Sequence, residues 1–97
     1  MDKQDLYKYL EELMRRALRY EMEIKKIPYQ EFYPQNHRVF ALLQLRNETL
    51  NRAIKVLNEE CGYSLVPLRE CQRNAKDIYY AISEEMRKIG GKENGLY

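Results

Sequence analysis

The residue types that most often carry catalysis or hold metal ions are scarce in this sequence. The chain has one histidine, His37, and two cysteines, Cys61 and Cys71. No serine–histidine–aspartate or cysteine–histidine arrangement is readable, and no glycine-rich phosphate-binding loop occurs. A metal site needs more ligands than this set supplies. The sequence therefore predicts no catalysis, no metal ion and no cofactor, and it predicts two buried thiols instead of a disulfide framework.

Length and composition indicate a single small domain. The chain has 97 residues, of which 44% are hydrophobic and 33% are charged, and its formal net charge is +2. We expect a single domain over 1–91 and a mobile tail over 92–97. The longest apolar run, 39–43, is far below the roughly 18 residues of a membrane-spanning helix. No apolar leader follows the N-terminus, so a cytoplasmic location is expected.

Three segments carry apolar residues at the spacing of an amphipathic helix. In the first, over about 2–27, they recur at alternating intervals of four and three residues. The second segment covers about 36–61 and the third about 65–89, and no segment alternates as a β-strand does. The predicted stripes are Leu6, Leu10, Leu13, Ala17, Tyr20, Ile24 and Ile27; Val39, Phe40, Leu43, Leu50, Ala53, Ile54 and Leu57; and Leu68, Cys71, Ala75, Ile78, Ile82, Met86 and Ile89.

Capping and helix-breaking residues set the expected limits of these helices. Asp2 is expected to cap the first helix, and Pro28 is expected to end it, because the residue before a proline avoids the α conformation. Gly62 stands where a left-handed cap would end the second helix. Ser64 is the expected N-cap of the third helix, and Pro67 is tolerable in its first turn.

The simplest fold for three such helices is an all-α, antiparallel up-down-up three-helix bundle. The connection between the second and third helices is short, which predicts that they are antiparallel neighbours. A helical hairpin whose third helix is swapped into a dimer is the main alternative. The bundle is therefore complete in one chain or completed by dimerisation.

Two charged residues interrupt otherwise apolar stripes. Glu21 lies within the apolar arc of the first helix, and Arg46 lies within that of the second. An antiparallel pairing of the two helices brings these residues to within about one helical turn of each other. The sequence therefore predicts a partly buried ion pair. It either fixes the register of the helices or holds a charged group in an apolar groove that awaits a partner.

The first helix carries more apolar residues than one neighbouring helix can cover. The additional residues widen its apolar arc to roughly 200°, which favours either a central position in the core or an adhesive surface. Tyrosine is abundant, with nine residues, and an aromatic group in the first connection either packs on the bundle end or forms a recognition loop. The protein-binding candidates are Tyr7, Met14, Leu18, Met22, Tyr29, Phe32 and Tyr33.

Basic residues form a stripe on the first predicted helix and another on the third. Stripes of this kind, with an interleaved tyrosine, can follow a phosphate backbone. Neighbouring glutamates and the low net charge argue against this interpretation, because nucleic-acid-binding modules are strongly basic. The nucleic-acid-binding candidates are Arg15, Arg19, Lys26, Arg69, Arg73, Lys76, Tyr80 and Arg87.

These patterns predict a small cytoplasmic protein that acts by protein–protein interaction, as an adaptor, regulator or inhibitor of a larger protein. A homodimer is an open alternative for its oligomeric state. Nucleic-acid binding through the basic stripes is the alternative function. An enzyme or a small-molecule carrier would need a pocket around Glu21 and Arg46, and the sequence does not reveal one.

Overall fold

The computed structural model describes residues 2–28 and 37–91 of the chain. Both stretches contain helices and neither contains a β-strand, so the predicted all-α class is confirmed. No helix within these two stretches is both long enough and apolar enough to cross a membrane. Outside the described residues lie the predicted recognition-loop residues Tyr29, Phe32 and Tyr33 and the predicted tail, 92–97.

The described stretches contain three α-helices. α1 is Lys3–Lys25, α2 is His37–Cys61 and α3 is Lys76–Met86. α3 continues into a π-helical turn, Arg87–Gly91. The first two helices match the predicted segments closely, and the third is much shorter than its prediction.

The ends of the first two helices follow the signals in the sequence. The Asp2 side chain accepts a hydrogen bond from the Asp5 amide at 2.8 Å, which satisfies one free N–H of the first turn of α1. At the end of α2, Gly62 has a φ of +73°, and its amide donates to the Asn58 carbonyl at 3.1 Å. Glycine tolerates this left-handed conformation because it has no Cβ.

α1 and α2 pack side by side in antiparallel directions. Glu23 pairs with Arg38 at 3.4 Å, and Glu21 pairs with Arg46 at 2.9 Å. Residues with higher numbers in α2 therefore contact residues with lower numbers in α1, as antiparallel packing requires. The apolar stripes of the two helices meet between them and form the centre of the core. The main cluster of buried residues is Leu6, Leu10, Leu13, Met14, Ala17, Leu50, Ala53, Ile54, Leu57, Leu68, Ala75 and Ile82.

Residues 65–75, which the apolar spacing predicts to be the first turns of the third helix, are not helical. Residues 62–75 instead form a return segment, which runs back along α2 and contains a turn at 70–71. Leu68 and Ala75 of this segment are buried in the core, so the apolar residues reach the interior from non-helical backbone. The predicted start of the third helix, with Ser64 as its cap, is therefore wrong, and α3 begins at Lys76.

Asparagine side chains of α2 explain why this backbone is extended. The carboxamide of Asn58 donates to the Leu65 carbonyl at 3.1 Å and accepts from the Leu65 amide at 3.0 Å. Asn51 makes the same two bonds with Leu68, at 3.0 and 2.7 Å. These bonds replace those that a helix would supply to the amides and carbonyls of Leu65 and Leu68. An extended conformation is thus satisfied at little cost.

α3 runs antiparallel to α1 and in the same direction as α2. The Tyr79 hydroxyl, near the start of α3, lies 3.2 Å from the Ala17 carbonyl, whereas Gly90, beyond its end, lies against the Tyr7 ring. The return segment runs antiparallel to α2, so it is this segment and not α3 that brings the chain back towards the start of α2. The up-down-up order of the predicted bundle is therefore not confirmed.

Candidate functional site

A buried ion pair joins α2 to the second half of α1. Arg46 is 1% exposed, and its Nη1 donates to Glu21 Oε1 at 2.9 Å. Its Nε donates to Asn47 Oδ1 at 3.0 Å, and its Nη2 donates to the Gln72 carbonyl at 2.5 Å. The ion pair that the sequence predicts is therefore present. Each guanidinium nitrogen has an acceptor, which offsets the cost of burying the charge.

Tyr79 of α3 completes this network. Its hydroxyl lies 3.0 Å from Glu21 Oε1 and 3.2 Å from the Ala17 carbonyl. Burial of the phenol, followed by the charge of Glu21, raises the pKa of Tyr79 above its ordinary value. The hydroxyl therefore stays protonated and remains a donor throughout the neutral pH range. The network ties α1, α2, α3 and the return segment together at one point.

An open groove lies beside this network, between the second half of α1 and the start of α3. Its volume is about 570 Å³, within the size range of ligand-binding clefts, and its walls are mainly apolar. Glu21 lines it and the buried Arg46 does not, so it differs from the pocket around both residues that an enzyme or a small-molecule carrier would need. The described residues that line it are Leu18, Glu21 and Lys25 of α1, Arg73, Asn74 and Ala75 of the return segment, and Lys76, Tyr79, Tyr80 and Ser83 of α3.

The mouth of the groove combines exposed apolar side chains with cations. Leu18 is 48% exposed and Tyr80 is 70% exposed. Lys25 approaches from α1 and Lys76 from α3, and neither lysine forms an ion pair within the described stretches. The groove therefore offers an apolar floor beneath a positively charged rim.

The apolar excess of the first helix is only partly available for binding. Leu18 and Met22 lie on the surface of α1, and Met22 is 63% exposed. Met14 is buried in the main core cluster, so its assignment to a binding surface is wrong. Tyr7 is half-buried, because its ring faces the backbone at Gly90. The breadth of the apolar arc thus has two causes, since part of it is core and part is exposed surface.

The basic residues predicted to bind nucleic acid do not form two continuous stripes. Arg15, Lys26 and Arg87 pair with glutamates one helical turn away, at 3.0, 3.0 and 2.7 Å. Arg69 and Arg73 lie on the return segment instead of α3, so the predicted stripe on the third helix is wrong in that part. Arg73, Lys76 and Tyr80 meet at the groove, and Arg19 is exposed on α1.

The asparagine row of α2 is a structural feature that the sequence prediction missed. Asn47 donates to the carbonyls of Arg69 and Gln72, both at 3.1 Å, alongside the paired bonds of Asn51 and Asn58. At 100° per residue these three asparagines lie within about 40° of one another on α2. That alignment, next to an apolar stripe, was the available signal for an extended segment bound along the helix.

The cysteines and the histidine do not assemble into a reactive centre. Cys61 and Cys71 are unpaired and partly buried. Burial, followed by the charges of Glu85 and Glu60, raises the pKa of the Cys61 thiol, which disfavours the reactive thiolate. His37 is exposed at the start of α2. Residues 2–28 and 37–91 contain no group of three or more histidine, cysteine or acidic side chains arranged to hold a metal ion.

Comparison with known proteins adds no homologue. No protein-family model matches the chain, and no match is found among curated proteins or among solved structures. The function is therefore argued from the groove and the residues around it.

Proposed function

We propose that this protein acts without catalysis, by docking onto another protein through the groove between α1 and α3. The observation that carries the proposal is the exposure of Leu18 and Tyr80 at the mouth of the groove, with Met22 one helical turn beyond Leu18. Large apolar side chains around a concave surface are typical of protein-binding sites. A cytoplasmic adaptor, regulator or inhibitor of a larger protein fits this mode of action.

The network behind the groove supports a docking role because it holds the two walls in place. Tyr79 connects α3 to Glu21 of α1, and Arg46 anchors Glu21 to α2. A groove whose walls are held before binding has less conformational entropy to lose when the partner arrives. The ion pair thereby fixes the register of α1 and α2 and also helps to hold the shape of the groove.

Nucleic-acid binding is the less favoured function. Three of its candidate cations, Arg15, Lys26 and Arg87, already pair with glutamates of their own helices. A protein that binds phosphates gains affinity by releasing counterions from them, and glutamates beside its cations reduce that gain.

The experiment that tests the proposal compares two matched leucine variants during purification from the native cell. Leu18→Glu places a charge at the groove, and Leu45→Glu places one on a similarly exposed leucine of α2. We expect a stoichiometric protein companion to elute with the wild type and with Leu45→Glu, and to be lost with Leu18→Glu. Circular dichroism checks that both variants fold.

Other outcomes of this purification would contradict the proposal. A companion that remains with Leu18→Glu does not use the groove. A companion that is removed by nuclease is nucleic acid, which would favour the alternative function. If light scattering shows that the companion is a second copy of the chain, the protein is a homodimer, and docking onto a different protein is contradicted.

A further inference from the structure

We propose that the groove between α1 and α3 takes an acidic amphipathic helix from the partner protein. Apolar side chains of that helix lie on the groove floor, and its carboxylates lie against the lysines of the rim. This inference rests on the proposed function and adds the chemistry of the docking element.

Charge complementarity is the first argument. Among the described residues that line the groove, Lys25, Arg73 and Lys76 are cations, and the one carboxylate, that of Glu21, is paired with Arg46 at 2.9 Å. The two lysines therefore give the described part of the rim a positive charge. Lys25 and Lys76 form no ion pair within the described stretches, so a partner's carboxylates can approach them without displacing an ion pair with any of those residues. Complementary charge of this kind orients a partner and excludes basic competitors.

The position of Glu21 distinguishes an acidic helix from a chain of phosphates. Its Oε1 accepts from Arg46 and Tyr79, and its Oε2 has no hydrogen-bond donor among the described residues. A phosphate backbone laid into the groove would bring negative charge against this oxygen. An amphipathic helix carries its carboxylates in a flanking row, so they can contact the rim lysines without lying against Glu21. The single carboxylate of Glu21 beside an apolar floor thus favours a protein segment over a continuous chain of phosphates.

The dimensions of the groove suit about two turns of a helix. Its α1 wall extends from Leu18 to Lys25, a rise of roughly 10 Å at 1.5 Å per residue. Two turns present apolar side chains at positions i, i+3 or i+4, and i+7, the pattern by which helices bind in hydrophobic grooves. The side chains of Leu18 and Tyr80, on opposite walls, are placed to contact that stripe.

The test is selection of phage-displayed helical peptides against the full chain, followed by titration of the selected synthetic peptides. The peptides carry a fixed apolar stripe and randomised flanking positions. We expect aspartate and glutamate to be enriched at the flanks. The double variant Lys25→Glu/Lys76→Glu should weaken binding about tenfold. Leu18→Glu should abolish binding, and Lys55→Glu, a charge reversal on α2, should leave it unchanged.

The outcomes separate this inference from the proposed function. Selection of neutral or basic peptides that depend on Leu18 but not on the two lysines would refute the acidic helix and leave docking at the groove standing. Selection of no peptide, or of peptides that are indifferent to Leu18→Glu, would overturn both. A single-stranded oligonucleotide that displaces the acidic peptides when its concentration is lower than the peptide concentration would also refute the inference.

Discussion

Replacing Arg46 by methionine should lower the free energy of unfolding by about 3–5 kcal/mol, because it leaves the Glu21 carboxylate without its counter-charge. At 2.9 Å, and with an effective dielectric of roughly 20, the attraction between the two charges is about 6 kcal/mol before desolvation. Solvent screens the pair weakly, since Arg46 is 1% and Glu21 19% exposed. Desolvation offsets most of the attraction, so the intact pair contributes little net stability, whereas the loss of one partner is costly.

The other hydrogen bonds of Arg46 indicate where the destabilisation caused by Arg46→Met would arise. The Gln72 carbonyl loses the Arg46 donor but keeps the Asn47 carboxamide at 3.1 Å, so the penalty arises at Glu21 and at the Asn47 Oδ1, which loses its donor. Urea unfolding of Arg46→Met, Glu21→Gln and the double variant measures the coupling. We expect the double variant to be more stable than the sum of the single changes predicts, by about 1–3 kcal/mol.

The control is Arg15→Met, which removes an exposed pair with Glu12 and should change stability by less than about 0.5 kcal/mol. Additive single effects of Arg46→Met and Glu21→Gln would refute the reasoning. A cost for Arg46→Met as small as that of the control would do the same.

Three further predictions concern the other contacts of the fold. The pKa of Tyr79 is raised in the folded protein, so the stability that its phenol confers is complete below about pH 10 and falls as the pH rises further, by about 1.4 kcal/mol per unit. Urea unfolding of wild type and Tyr79→Phe between about pH 8 and pH 11 should show their difference shrinking above pH 10, and a constant difference would contradict this. Asn51→Ala leaves the amide and carbonyl of Leu68 unpaired and should lower the free energy of unfolding by about 2–3 kcal/mol. The Leu68 amide should also exchange its hydrogen faster, and unchanged exchange would contradict the two hydrogen bonds. Gly90→Ala places a Cβ 2.6 Å from the Tyr7 ring and should lower the free energy of unfolding, measured by thermal unfolding, by about 1–3 kcal/mol. The loss should be smaller in a Tyr7→Leu background, and equal losses in both backgrounds would exclude this clash.

Much of the fold was predictable because α1 and α2 depend on local patterns. Apolar spacing, the Asp2 cap and Gly62 act within a few residues of the chain, and they place the ends of these helices within one or two residues of the structure. The Glu21–Arg46 pair was predictable for a related reason, since two charges that interrupt facing stripes have few other partners. Periodicity also predicted correctly that Ala75 and Ile82 are buried.

The extent of the third helix was not predictable from the same pattern. Leu68 is buried as its spacing predicts, yet its backbone is held extended by Asn51, which lies 17 residues earlier in the chain. A helical stripe and an extended segment can bury the same side chain. The choice between them is made by hydrogen-bond partners on another element, which the periodicity of the segment does not contain.

Local sequence patterns are enough to predict the all-α class, the limits of the first two helices and the two charges that pair between them. The path of residues 62–75, the direction of α3 and the existence of the groove depend on contacts between distant parts of the chain. The groove brings Leu18 of α1 together with Tyr80 of α3, residues that no local pattern connects. The physical reason is that helix formation and capping are local interactions, whereas the return segment is stabilised by side chains of α2 that meet it only after the chain has folded back.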